Sequence, residues 1–349
     1  MKKILSVCAA FLLPCCLLFS QEAEDTGTGA GLSVISRLDL GLNGPVGDND
    51  GSVEATLGNS SIYTLFEGNI TENLSFSLCN HWASFALSEN KWDGSAVTDL
   101  YKYTWRSDWT NWCDWAFLKY SLGNFWVTVG KDVLYIGGME FDEYDWDVHP
   151  MMMSTLWNNF SPYQWQGAFG WTNESENTTL GLQISTSPYG ERPFGSGLYN
   201  YAAKWQGEYG PIYNIWSFAM VGKGDGKYYP VVSLGQNFSI GESIVISTDY
   251  CNAVSLDILD KGHSASAAIN WTPLECFALS GKVGMETSKF YEGWGDRTRW
   301  NFGASVHWFP IQDSEDLRIH ASVSRNGVYG CYEILAGVLY NLNFSLFGK

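Results

Sequence analysis

Beyond its first twenty residues the chain has no run of about 20 apolar residues, so no later segment is long enough to cross a membrane as a helix. It is also short of charge: Asp, Glu, Lys and Arg make up 16% of the residues, against about 25% in ordinary soluble domains. No Lys/Arg-rich run occurs and the net charge is −17, which argues against a nucleic-acid partner. No CxxC, Cys/His or EF-hand spacing is present, so neither a zinc nor a calcium site has support, and no cofactor is expected. Five cysteines lie beyond the N-terminal stretch: Cys79, Cys113, Cys251, Cys276 and Cys331. An odd number cannot all pair internally; a loop disulfide stays open, with unreadable connectivity. A helical period is missing as well.

What is there begins with Lys2 and Lys3, an apolar stretch from Ile4 to Phe19 broken by Pro14, then Ser20, Gln21 and the acids Glu22, Glu24 and Asp25. That order reads as a signal peptide over residues 1–20, cleaved near Ser20. Lipidation at Cys15 or Cys16 is the rival, disfavoured by Pro14. The remaining chain is polar on average but dense in rings, with 16% aromatics and 17 Trp.

A period of two runs almost throughout. Leu74, Phe76 and Leu78 alternate with Ser75, Ser77 and Cys79; Leu180, Leu182 and Ile184 alternate with Thr179, Gly181, Gln183 and Ser185. Each is a strand with one apolar and one polar face. Connections alternate in length. Seven short turns, such as Leu122 to Asn124 and Thr272 to Glu275, are interleaved with eight mostly longer loops, such as Ser88 to Thr110 and Asp132 to Pro162. Fifteen connections join sixteen strands. Because a membrane tolerates strands only as a closed sheet, the expected fold is all-β, a transmembrane antiparallel up-and-down β-barrel of about 16 strands, within 14–18. The expected organisation is a signal peptide over 1–20, an N-terminal periplasmic segment over 21–31 and the barrel over 32–349.

Side-chain parity then assigns faces. Tyr120, Trp171, Trp205, Trp271 and Trp308 each precede a short turn and share the apolar parity, as an aromatic girdle at one bilayer interface requires. The opposite parity carries Arg37, Lys119, Lys204, Lys282, Arg299, Arg318, His307 and His320, the expected lumen wall. These bases either attract anions or pair with Asp39, Asp249 or Glu286. The third long loop is acidic, with Asp132, Glu140, Asp142, Glu143, Asp145 and Asp147 among Phe141, Tyr144 and Trp146. Catalysis has weak candidates in His81, His149, His263 with Ser264, and His320 with Ser322. His263 and Ser264 point to opposite faces of a strand and no third orienting group accompanies His320 and Ser322, so no enzyme is expected.

The stretch AFLKYSLGNFWVTVGKD, Ala116 to Asp132, is a hairpin with a tight Gly turn, followed by the loop Val133 to Pro162. It resembles the hairpin before the third loop of bacterial outer-membrane porins, the phosphate-selective ones included. The last strand, Val338 to Leu346 with Phe347 near the end, resembles the terminal signal read by the barrel-assembly machinery, although Gly348 and Lys349 follow. The resemblance implies a passive diffusion porin in the outer membrane of a diderm bacterium, exported through the periplasm. Its partners would be outer-membrane lipids and small hydrophilic solutes or ions. It also implies a third loop folded inward, its acids facing the basic wall across a constriction, and a homotrimer, for which the loop Ser88 to Thr110 with Trp92, Trp105 and Trp109 offers a latch. The alternatives are a non-conducting barrel acting as adhesin or anchor, and a secreted glycan-binding β-sandwich.

Overall fold

The computed structural model describes residues 28–45, 53–56, 60–84, 113–142, 153–158, 162–190, 194–254, 262–288, 298–312, 314–328 and 330–347. The strands are β1 (Gly29–Pro45), β2 (Glu54–Thr56), β3 (Ser61–Thr71), β4 (Leu74–Ser84), β5 (Cys113–Leu122), β6 (Phe125–Val133), β7 (Tyr163–Thr172), β8 (Thr178–Thr186) and β9 (Tyr199–Tyr209). They continue as β10 (Ile212–Gly222), β11 (Tyr228–Ile240), β12 (Ile244–Cys251), β13 (Gly262–Leu274), β14 (Phe277–Ser288), β15 (Thr298–Trp308), β16 (Leu317–Asn326) and β17 (Cys331–Phe347). From β3 onward each strand pairs antiparallel with the next, and β1 pairs with β17 on one edge and with β2 and β3 on the other. β2 and β3 share one edge of β1, through Gly41↔Thr56 and Arg37↔Ser61, so the seventeen strands fill sixteen wall positions. The sheet has no free edge, which removes the row of unpaired N–H and C=O groups that an open sheet exposes.

Alternation dictates which face each side chain takes. On β8, Leu180, Leu182 and Ile184 are 49%, 61% and 56% exposed on the outer face, while Gln183 and Ser185 are 2% exposed on the inner one. β1 repeats the pattern, with Leu38, Leu40 and Leu42 outward and Arg37, Asp39 and Asn43 inward and buried. Apolar side chains thus face out and polar ones in, the inverse of a water-soluble domain. Tyr120, Trp171, Trp205, Trp271 and Trp308 all sit on the outer face beside the short turns, Trp205 packing edge-on against Trp216 with ring centroids 4.9 Å apart. A second outer row of rings, including Trp165, Tyr199, Tyr201, Tyr228 and Trp300, lies toward the long loops.

The connections follow the expected short and long rhythm, with tight turns between β5 and β6 and between β13 and β14. Two single helical turns, Met139–Asp142 and Thr155–Asn158, interrupt the third loop. One turn of helix is too short to print a 3.6-residue period, which is why the sequence shows none. Cys79, Cys113, Cys251, Cys276 and Cys331 are free thiols, and no disulfide forms among them. The loop Ser88 to Thr110 and residues 1–27 lie outside the described residues. Among the described residues no helix is long and apolar enough to cross a membrane.

Candidate functional site

Leaving β6, the chain turns into the barrel rather than away from it. Leu134, Ile136 and Leu156 of the third loop are buried against Ala202, Ala219, Val221, Val231, Cys251 and Ala253, which come from β9 to β12 and the turn after β12. These inward positions are small and apolar where most of the inner wall is polar. Burying each large aliphatic side chain contributes about 1.5–3 kcal/mol, enough to hold a loop that would otherwise stay in water.

Polar contacts then carry the loop across the lumen from strand to strand. The amide of Tyr135 donates to Gln183 Oε1 at 2.8 Å, and Gln183 Nε2 donates to the Val133 carbonyl at 2.8 Å. Gly137 N–H donates to Ser217 Oγ on β10 at 3.0 Å, and the Ser217 hydroxyl donates to the Gly137 carbonyl at 2.9 Å. At Gly138 and Gly235 loop backbone and wall backbone touch: a side chain on Gly138 would press on the Asp249 carboxylate, and one on Gly235 would overlap the Met139 amide. Glu140 N–H donates to Asp249 Oδ2 on β12 at 2.7 Å. On β14, Lys282 Nζ lies 2.6 Å from Glu140 Oε1, and both side chains are buried. The same Glu140 oxygen accepts from Ser154 N–H at 2.7 Å. Glu286 takes both the amide and the hydroxyl of Thr155, at 2.5 and 2.8 Å, and so opens the second helical turn.

Charges in this dock are matched in a crossed manner. Two wall carboxylates, Asp249 and Glu286, accept from the loop backbone, while the loop carboxylate of Glu140 accepts from the wall base Lys282. Glu140 therefore touches its base instead of standing off across a gap. Asp142 as a side chain, and Glu143, Asp145 and Asp147 entirely, lie outside the described residues.

The remaining bases are all on the inner face. Arg37 Nε donates to Asp39 Oδ2 at 2.7 Å, and His320 Nε2 lies 2.9 Å from the other oxygen of the same carboxylate. Asp39 on β1 and His320 on β16 meet across the intervening strand β17 at Gly337, where any side chain would overlap both groups. His307 is the strand neighbour of His320, and its Nε2 lies 2.8 Å from Ser305 Oγ. Lys119 stands over the Trp126 ring and Lys204 over the Tyr135 ring. Arg299 and Arg318 face inward and are half-buried. His263, on the outer face, bonds the Tyr250 hydroxyl through Nδ1 at 2.8 Å, and Ser264 is on the inner face. Among the described residues no group of three or more His, Cys, Asp or Glu is arranged to hold a metal ion.

No protein-family model and no curated protein matches the chain. Solved structures do. The outer membrane channel DcaP of Acinetobacter baumannii superposes with a TM-score of 0.57 over 92% of this chain and 98% of its own, at 11% identity. A double mutant of the Rh. blastica porin gives 0.57 over 90% of this chain and all of its own, at 12% identity. The barrel has the porin fold. A loop-deletion mutant of OmpT, an outer membrane protein of Vibrio cholerae, agrees at 0.53 over 90% of this chain and all of that one, with 10% identity. At these identities the likeness is one of fold, and no subfamily of the porin fold is singled out.

The reading of the sequence missed the residues that seat the loop, Gln183, Ser217 and Gly235. One signal for them was available. On β10 the inner parity carries Ile215, Ala219 and Val221 beside the single polar Ser217, while Trp216, Phe218 and Met220 fill the outer one, and a strand this apolar on both faces must have something covering its inner side.

Proposed function

We propose that the protein is an outer-membrane porin, a passive channel for small hydrophilic solutes whose passage is narrowed by its third loop. The observation that carries this reading is the inversion of faces: a ring-edged apolar exterior around an interior of charged and amide side chains. A cation at the middle of the lipid-facing side costs about 2–4 kcal/mol, and Arg37, Lys119, Lys204, Lys282, Arg299, Arg318, His307 and His320 all avoid that side. In this reading they line the pore, and Tyr120, Trp171, Trp205, Trp271 and Trp308 form the girdle at the periplasmic interface. Residues 1–20 direct export through the periplasm, the last strand engages the assembly machinery, and a homotrimer is the expected assembly. DcaP, described as an outer membrane channel, has the same fold and supports the reading.

The test is single-channel recording of the purified protein in a planar bilayer, then the reversal potential in a salt gradient. Discrete conductance steps are expected, with the sign of the potential reporting whether wall bases or loop acids dominate. The inward dock of the loop favours one rival, a barrel plugged as an adhesin or structural protein. A correctly folded barrel that passes no current would establish that rival instead.

The lipid-facing assignment has its own test. Leu182→Arg puts a cation at the centre of β8 on the outer face, and is expected to lower the stability of the barrel in lipid vesicles by about 2–4 kcal/mol. Guanidinium titration measures it. An unchanged midpoint would mean that this face does not meet lipid.

A further inference from the structure

Two glycines stand directly opposite one another on the inner wall, Gly170 of β7 and Gly181 of β8. Neither place is empty. At Gly170 a side chain would run into the six-membered ring of Trp126, which arrives from the neighbouring strand β6. At Gly181 a side chain would meet the ring of Tyr135, which is brought there by the inserted loop. Two aromatic rings thus lie against bare backbone at adjacent strands, which are about 4.8 Å apart. Each ring has its own cation: Lys119 Nζ stands 5.5 Å from the Trp126 ring centre, and Lys204 Nζ stands 4.8 Å from that of Tyr135. All four side chains face the interior and none is fully buried. Lys119 and Trp126 sit toward the short-turn end of β5 and β6, Lys204 is at the middle of β9, and Tyr135 follows β6 in the third loop.

A wall that only had to be filled could have been filled by an aliphatic side chain at each glycine position, with no ring and no charge. Instead the two wall positions are kept clear, an aromatic ring lies against each, and an ammonium group stands over each ring. We infer that this strip, Lys119, Trp126, Tyr135 and Lys204, is a binding site inside the lumen for small carboxylates that carry a flat apolar face. The ammonium groups take the carboxylate, and the indole and phenol rings take the flat face, by offset stacking if it is aromatic or by contact with ring C–H groups if it is a sugar. A solute that offers only one of the two, a bare carboxylate or a neutral sugar, engages half of the strip. As a role in transport this rests on the channel reading; as a binding site it does not.

The test is isothermal titration of the full-length barrel in detergent with four probes: benzoate, glucuronate, acetate and glucose. At least one of benzoate and glucuronate is expected to bind tenfold or more tightly than acetate and glucose. Which of them does so assigns the flat face to an aromatic acid or to a sugar acid. Lys204→Gln and Trp126→Leu are each expected to weaken that binding at least tenfold. Heat-modifiable gel mobility reports that the variants are folded. Gly170→Ala, which keeps every strip residue but displaces the Trp126 ring, provides a third variant should Trp126→Leu fail to fold, and is also expected to weaken binding. Acetate binding as well as benzoate and glucuronate do, or folded variants that retain wild-type affinity, would overturn the inference. Conductance recorded on the same preparation separates the two readings. A barrel that conducts but does not discriminate among the probes loses only the strip, and one that binds but does not conduct loses only the channel.

Discussion

Lys282→Met is expected to raise single-channel conductance and to make the open current visibly noisier. The buried contact between Lys282 and Glu140 joins the inserted loop to β14, and truncating one partner leaves the other carboxylate buried beside Asp249 without its base. Breaking a buried pair in this way costs about 3–5 kcal/mol, which corresponds to a shift of about two to four powers of ten in the ratio of docked to undocked loop. The double variant Lys282→Met with Glu140→Gln should recover most of the wild-type trace, because a neutral amide at 140 needs no base and its carbonyl oxygen can still accept from Ser154 N–H. Recordings of the two single variants and the double variant form a double-mutant cycle. Should Lys282→Met conduct in wild-type steps with wild-type noise, the apolar contacts of Leu134, Ile136 and Leu156 would be the anchor and the ion pair only decoration on it.

Gly337→Ala is expected to destabilise the barrel by about 3–5 kcal/mol through the loss of the Asp39 and His320 contact. A methyl group at this position would overlap a carboxylate oxygen of Asp39 and crowd Nε2 of His320, and the Leu38 carbonyl behind leaves it no retreat. Asp39 would be pushed off His320 while Arg37 still needs it. Gly281→Ala is the matched control, because its added methyl finds only ordinary contacts at 3.7 Å and beyond. The denaturation midpoint in detergent measures both variants. If both shift equally, the effect belongs to glycine in strands generally and not to the bridge across β17.

Most of the wall was legible because a strand's period is two and this barrel keeps it nearly everywhere. Leu180, Leu182 and Ile184 against Gln183 and Ser185 settle the two faces of β8 without any partner strand in view. Where a short turn joins two strands, as between β5 and β6, it fixes their register. The helical turns and the dock of the third loop were not legible, since their causes are distant in sequence. Asp249 is satisfied by an amide 109 positions away, and Glu286 by a threonine 131 positions away. No spacing rule links such residues. The basic residues were assigned to the inner face by parity alone, but their partners were not: Arg37 and His320 share Asp39, whereas Asp249 and Glu286, the other wall acids that might have taken a base, serve the loop backbone instead.

The pairing of β1 with β17 separates one part of this wall from all the rest. Every other ladder joins strands that are consecutive in the chain or, for β1 and β3, separated only by the short β2, but Ala30↔Phe347 and Pro45↔Cys331 join the first strand to the last. Loop closure over so long a contour is the slowest kind of contact to make. Until it is made, both terminal strands present unsatisfied edges that invite pairing with other chains. The Asp39 and His320 bridge spans that seam, so substitutions there belong to the timetable of barrel closure more than to the properties of the finished lumen.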